Sequence, residues 1–104
     1  MNIFGLIEAG FPTSASEEML DTMTLDEYLI DNKEATYLIK VSSNSMSDSG
    51  ILKGDTLVVE RGKEAKKNDL VIAEEEGSYK MKYFKDIKHL STVAAVIIGV
   101  IRKY

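Results

Sequence analysis

Cysteine is absent from this 104-residue chain, and histidine and proline occur once each. Without cysteine there is no disulfide staple, no thiol nucleophile and no thiolate-ligated zinc, which suits a reducing cytoplasm. One histidine among scattered carboxylates makes a poor transition-metal centre, so neither metal nor cofactor is expected. A basic block is also missing. Seventeen acidic residues against thirteen basic ones leave a net charge of −4, and such a chain has little with which to grip a phosphate backbone. Direct nucleic-acid binding is not expected, although a partner could bring the protein to DNA. Long apolar runs are lacking too. The C-terminal run from Val93 to Ile101 falls well short of the ~20 residues that span a bilayer. The opening "MNIFGLIEAG" has no basic n-region and meets Glu8 early, unlike a secretory signal. A soluble protein with no membrane partner is expected.

What is present reads as one small domain with a single core. Residues 1–22 carry Pro12, "TSAS" and an acidic pair without helical or strand periodicity. They read as a flexible arm, and 23–104 as the folded domain. Thr24 with Glu27 forms a capping box, and Met23 is placed to staple onto Tyr28. The pattern predicts a short helix with Leu25, Tyr28 and Leu29 on one face, ending near Asp31-Asn32. From Ala35 onwards "TYLIKV", "TLVVE" and "LVIAE" are rich in β-branched and aromatic residues. "EEGS" supplies a turn into the alternating "YKMKYF", and "VAAVIIGVIRKY" closes the chain as a buried strand. The fold class is mostly β, with one short N-terminal helix and no internal repeat.

Five serines crowd the segment "VSSNSMSDSG" at 41–50. A serine nucleophile needs a base, because the free hydroxyl is protonated at neutral pH. His89 lies in the charged stretch "KDIKHL" with no evident carboxylate to orient it. A lysine can serve when neutral, and the strand "YKMKYF" carries Lys80 and Lys82 on one face, opposite Tyr79, Met81 and Tyr83. Spacing does not choose between these two lysines. Asp48, Gly50, Gly54 and Asp55 read as turn formers, Met46 as a core plug, and Glu74–Glu76 as a solvated hairpin tip.

"ATYLIKVSSNSMSDSGILKGDTLVVE" followed by "NDLVIAEEEGSYKMKYF" resembles the self-cleaving domain of LexA and UmuD, the Ser-Lys peptidases of the bacterial DNA-damage response. The family's serine precedes methionine in a G-D-S-M-type loop, which corresponds to Ser45. Its lysine lies in a "V-K-[KR]-L"-like strand and corresponds to Lys82. "GILKGDTLVV" is similar to the family's segment after the loop. "EAGFPTSA" resembles the cleavage segment of the UmuD branch and sets the scissile bond at Ala9-Gly10. The chain departs from the family at Ser43-Asn44, where Gly-Asp is usual, and in a much shorter stretch between Lys82 and the last strand.

The resemblance implies a small LexA/UmuD C-terminal-domain-like β-fold and intramolecular peptide hydrolysis. Lys82 would activate Ser45, and the Ser45 backbone N–H would serve the oxyanion. It further implies a homodimer, stimulation by a RecA-ssDNA filament, and a trimmed product that serves a UmuC-like, error-prone polymerase subunit in SOS mutagenesis. With no helix-turn-helix ahead of the arm, a complete repressor is not expected. The alternatives are a LexA-like or phage-repressor peptidase fragment, and a catalytically idle protein-interaction domain.

Overall fold

The computed structural model describes residues 24–104. The capping box forms as the sequence requires: the Glu27 N–H donates to Thr24 Oγ1 (3.1 Å) and the Thr24 N–H to Glu27 Oε1 (3.2 Å). It opens helix α1, Leu25–Leu29, which ends two residues earlier than expected, with Ile30 as its extended C-cap. The apolar side of α1 is not buried; Leu25 is 74% exposed. Met23 and its staple lie outside the described residues, as do the arm and the Ala9-Gly10 bond.

Residues Asn32–Tyr104 form a unit of their own. Its five strands are β1 (Thr36–Lys40), β2 (Thr56–Glu60), β3 (Leu70–Glu75), β4 (Ser78–Tyr83) and β5 (Thr92–Ile101). The first four lie within a residue or two of their expected bounds, whereas β5 stops at Ile101, three residues short of the expected Tyr104. They make one antiparallel sheet in the order β1-β2-β5-β3-β4. The last strand is therefore the central one. This fits its near-continuous apolar sequence, since a central strand has little solvated surface. β5 meets β2 and β3 with one register shift each, at Val58/Val59 and Ile72/Ala73. Such bulges add local bend and twist.

The connection from Lys82 to β5 is short but sufficient. It holds a 3-10 turn at Phe84–Asp86, and the Ser91 N–H then closes onto the Lys88 carbonyl (2.9 Å) before β5 begins. Across this connection β4 and β5 both join the one five-stranded sheet.

One face of the sheet carries the core: Leu57, Val59, Ile72 and Ala95 with Val41 and Ile51 from the segments flanking the serine loop. Met46 packs against this cluster as expected, together with Met81 and Ile97. Residues alternating with these, Val58, Val71, Ala73 and Val96, are buried as well. β1 and β4 are the sheet's edges. Among the described residues no helix is long and apolar enough to cross a membrane.

Candidate active site

The serine loop leaves β1 at Val41 and rejoins the sheet at Asp55, and two backbone bonds close it there. The Val41 N–H donates to the Asp55 carbonyl and the Gly54 N–H to the Val41 carbonyl, both at 2.9 Å. Inside the loop, Asn44 accepts twice, from the Lys53 N–H at Oδ1 (2.9 Å) and from the Ser47 N–H at its carbonyl (3.1 Å). The 3-10 turn Ser47–Ser49 ends at Gly50, whose φ of 83° is left-handed, a region glycine enters without a Cβ clash. The strained position is thus glycine already. Ser43, standing where the family has glycine, does not take a positive φ.

Ser45 is exposed at the head of this loop. Its hydroxyl accepts from the Ser43 hydroxyl (3.1 Å), and its N–H makes a long contact to Ser43 Oγ (3.4 Å). Ser43 is therefore the immediate polar neighbour of Ser45, and the Ser49 hydroxyl bonds the Tyr83 hydroxyl at 2.7 Å. That bond ties the loop to β4 beside Lys82.

A second tie joins the loop to the end of β5. Arg102 presents its fork to Asp55, Nε to Oδ1 at 2.7 Å and Nη2 to Oδ2 at 2.8 Å, and Nη2 also reaches the Gly50 carbonyl (2.9 Å). The Leu52 N–H donates to Asp55 Oδ2 (2.8 Å). Asp55 is only 2% exposed. The Arg102 guanidinium and the Leu52 N–H hold its carboxyl at about 2, below the ordinary 3.8, as donors to a carboxylate do. Asp55 is more than a turn former. The available signal was a loop aspartate beside a strongly apolar strand, which needs a cation when buried.

Lys82 belongs to edge strand β4. Its ammonium donates to Glu75 Oε2 at 2.9 Å, and the Ser91 hydroxyl reaches the same oxygen at 2.8 Å. Lys80 stands 3.9 Å from Oε1. These donors, Lys82 first and Ser91 next, hold the Glu75 carboxyl below its usual range. The expectation of a wholly solvated tip at Glu74–Glu76 is corrected here. Glu75 is buried and paired, because it faces the same side as Lys80 and Lys82 while its neighbours face away. The strand register brings Ser91, next to Thr92 opposite Glu74, to the other flank of Glu75.

Ser45 and Lys82 both line a groove of about 990 Å³ that has Tyr37, Ile39 and Met81 among its walls, but the ladder turns the Lys82 side chain to the face opposite Met81, toward Glu75. Ser45 and Lys82 do not hydrogen-bond to each other: the hydroxyl is engaged by Ser43 and the ammonium by Glu75. His89 is exposed. Among the described residues no group of three or more His, Asp or Glu side chains could hold a metal ion.

Residues 2–94 match the Peptidase S24-like family model. The chain is similar to Protein ImpA of Salmonella typhimurium, 36% identical over 75 residues that cover 72% of this chain and 52% of ImpA. It is also similar to the LexA repressors of Clostridium novyi (34% over 89 residues; 85% of this chain, 44% of the repressor) and Clostridium kluyveri (37% over 90 residues; 85% and 44%). The chain thus spans about half the length of the curated relatives it matches. The likeness drawn from the "SNSM" loop, the "GILKGD" segment and the "YKMKYF" strand is upheld, and the chain belongs to the Peptidase S24-like family.

Proposed function

We propose that this protein is a self-cleaving serine peptidase in which Ser45 is the nucleophile, Lys82 the general base, and the Ala9-Gly10 bond the substrate. The observation that carries this reading is the groove shared by Ser45 and Lys82, in a chain matched by the Peptidase S24-like family over residues 2–94. Neutral Lys82 takes the proton of Ser45 Oγ as the oxygen attacks the Ala9 carbonyl carbon. Backbone N–H groups, that of Ser45 among them, stabilise the oxyanion. Lys82 then gives its proton to the Gly10 amine as the Ala9–Gly10 bond breaks, and water hydrolyses the ester on Ser45. The Ser45 N–H makes only a 3.4 Å contact in the resting chain, so a stronger acceptor readily takes it. The Lys82 ammonium must first leave Glu75 and come round the β4 edge of the sheet to the serine's side, which an edge strand permits.

On this reading the peptidase is cytoplasmic and homodimeric. A RecA-ssDNA filament promotes cleavage, and the trimmed product joins an error-prone polymerase through a UmuC-like subunit. A second reading has its own support: an ammonium held by Glu75 is no base, as expected of an idle interaction domain.

Incubation of the purified chain at alkaline pH, followed by intact-mass measurement, separates the two. The proposal expects loss of residues 1–9 from the native chain. Ser45→Ala and Lys82→Ala should each be slower by at least about 100-fold, the usual contribution of a nucleophile or general base. Lys80→Ala should still cleave. A native chain that stays intact with and without RecA filaments would favour the idle domain.

A further inference from the structure

We infer that Glu75 and Ser91 form a resting clamp on Lys82, so that Glu75 is a positioning residue that withholds the base from Ser45 until the ion pair opens. This rests on Lys82 being the base of the proposed peptidase. The geometry is specific. Lys82 pairs with Val71 across the β3–β4 ladder, four residues from Glu75, yet its ammonium runs along the strand to reach Oε2 at 2.9 Å. Ser91 fixes that oxygen from the opposite side at 2.8 Å, and Lys80 faces Oε1 at 3.9 Å. Ser78, Lys80 and Lys82 on β4, with Ser91 before β5, are thus the charged and polar side chains on the Glu75 side of the sheet. The Lys82 side chain is 25% exposed and that of Glu75 only 9%, so the pair is partly shielded from water and salt.

The clamp therefore keeps the Lys82 nitrogen bonded and turned away from the nucleophile. Ser91 belongs to the connection that is short in this chain, so that shortening supplies one jaw of the clamp. Opening the ion pair would free the lysine.

Two measurements test this with the full chain. In a Ser45→Ala background, which cannot cleave itself, acetic anhydride labelling of each lysine is followed by peptide mass spectrometry at fixed pH. Glu75→Gln should raise the Lys82 rate, because the nitrogen is released from its ion pair, and leave Lys53 unchanged. Ser91→Ala, which keeps the charge but frees the carboxylate, should raise it by a smaller factor. With Ser45 intact, Glu75→Gln should cleave faster than the native chain at the same pH, because the lysine no longer has to leave a carboxylate. Unchanged Lys82 labelling in both variants overturns the clamp, as does an unchanged cleavage rate for Glu75→Gln in a chain that cleaves. Faster labelling without cleavage at any pH keeps the clamp and sinks the peptidase reading.

Discussion

Asp55 and Arg102 show how the nucleophile loop is held at the level of single residues. A buried carboxylate without a cation is costly, and here one guanidinium satisfies both its oxygens and also caps the Gly50 carbonyl. Arg102→Ala removes all three bonds at once and leaves Asp55 buried without its partner. The expected result is a lower urea midpoint for Arg102→Ala. Combining it with Asp55→Asn should recover part of the loss, because the stranded charge is then gone. A double variant no more stable than Arg102→Ala would show that the pair is not what the loop depends on. Ser45, Met46 and the glycine turn at Gly50 were legible in sequence because they sit within one motif. The Asp55–Arg102 and Glu75–Lys82 pairs were not. Partners 47 positions apart, or four ladder steps along a strand, meet only through register.

At the scale of elements, the β3–β4 hairpin is the most exacting. Its two-residue loop, Glu76-Gly77, has φ of 52° and 81° between the paired residues Glu75 and Ser78. Two consecutive positive φ values mark a type I′ turn, which favours Asn-Gly. Glu76 is the only non-glycine residue with positive φ among the described residues, and a side chain there costs on the order of 1 kcal/mol. Glu76→Asn should therefore stabilise the unit by roughly 0.5–1 kcal/mol in urea unfolding. Gly77→Ala should destabilise it by at least a similar amount. Equal stability for Glu76→Asn would mean that the turn is not of this type in solution. The strand segments themselves were readable from β-branched and aromatic alternation, and the capping box fixed the start of α1. The order β1-β2-β5-β3-β4 was not readable, since the central place of β5 is decided by which sequence-distant strands share the core face. Nor was the exposure of Leu25, because helical spacing says which residues share a face and not what covers it.

For the whole molecule, the paired carboxylates decide how the fold responds to acid. Asp55 sits at about 2 in the folded chain against an ordinary 3.8, and Glu75 is likewise lowered. A carboxyl depressed by folding contributes stability that is fully present above its unfolded value and is lost as pH falls toward its folded value. The Asp55 contribution is therefore intact above about pH 4 and disappears between about 4 and 2, and the Glu75 loss begins somewhat higher, as pH drops below the ordinary glutamate value. The net charge of −4 at neutrality falls to zero near pH 5.0 and turns positive below it, so general repulsion adds to the loss only at the acid end. Urea midpoints measured from pH 7 downwards should stay nearly level to about pH 5 and then fall steeply. Asp55→Asn, which has no proton to bind, should start from a lower midpoint at pH 7 but lose less on acidification. Its curve should draw toward that of the native chain near pH 2. Parallel curves for the two proteins down to that pH would show that the Asp55–Arg102 pair does not govern acid stability, and would shift the cause to carboxylates elsewhere in the chain.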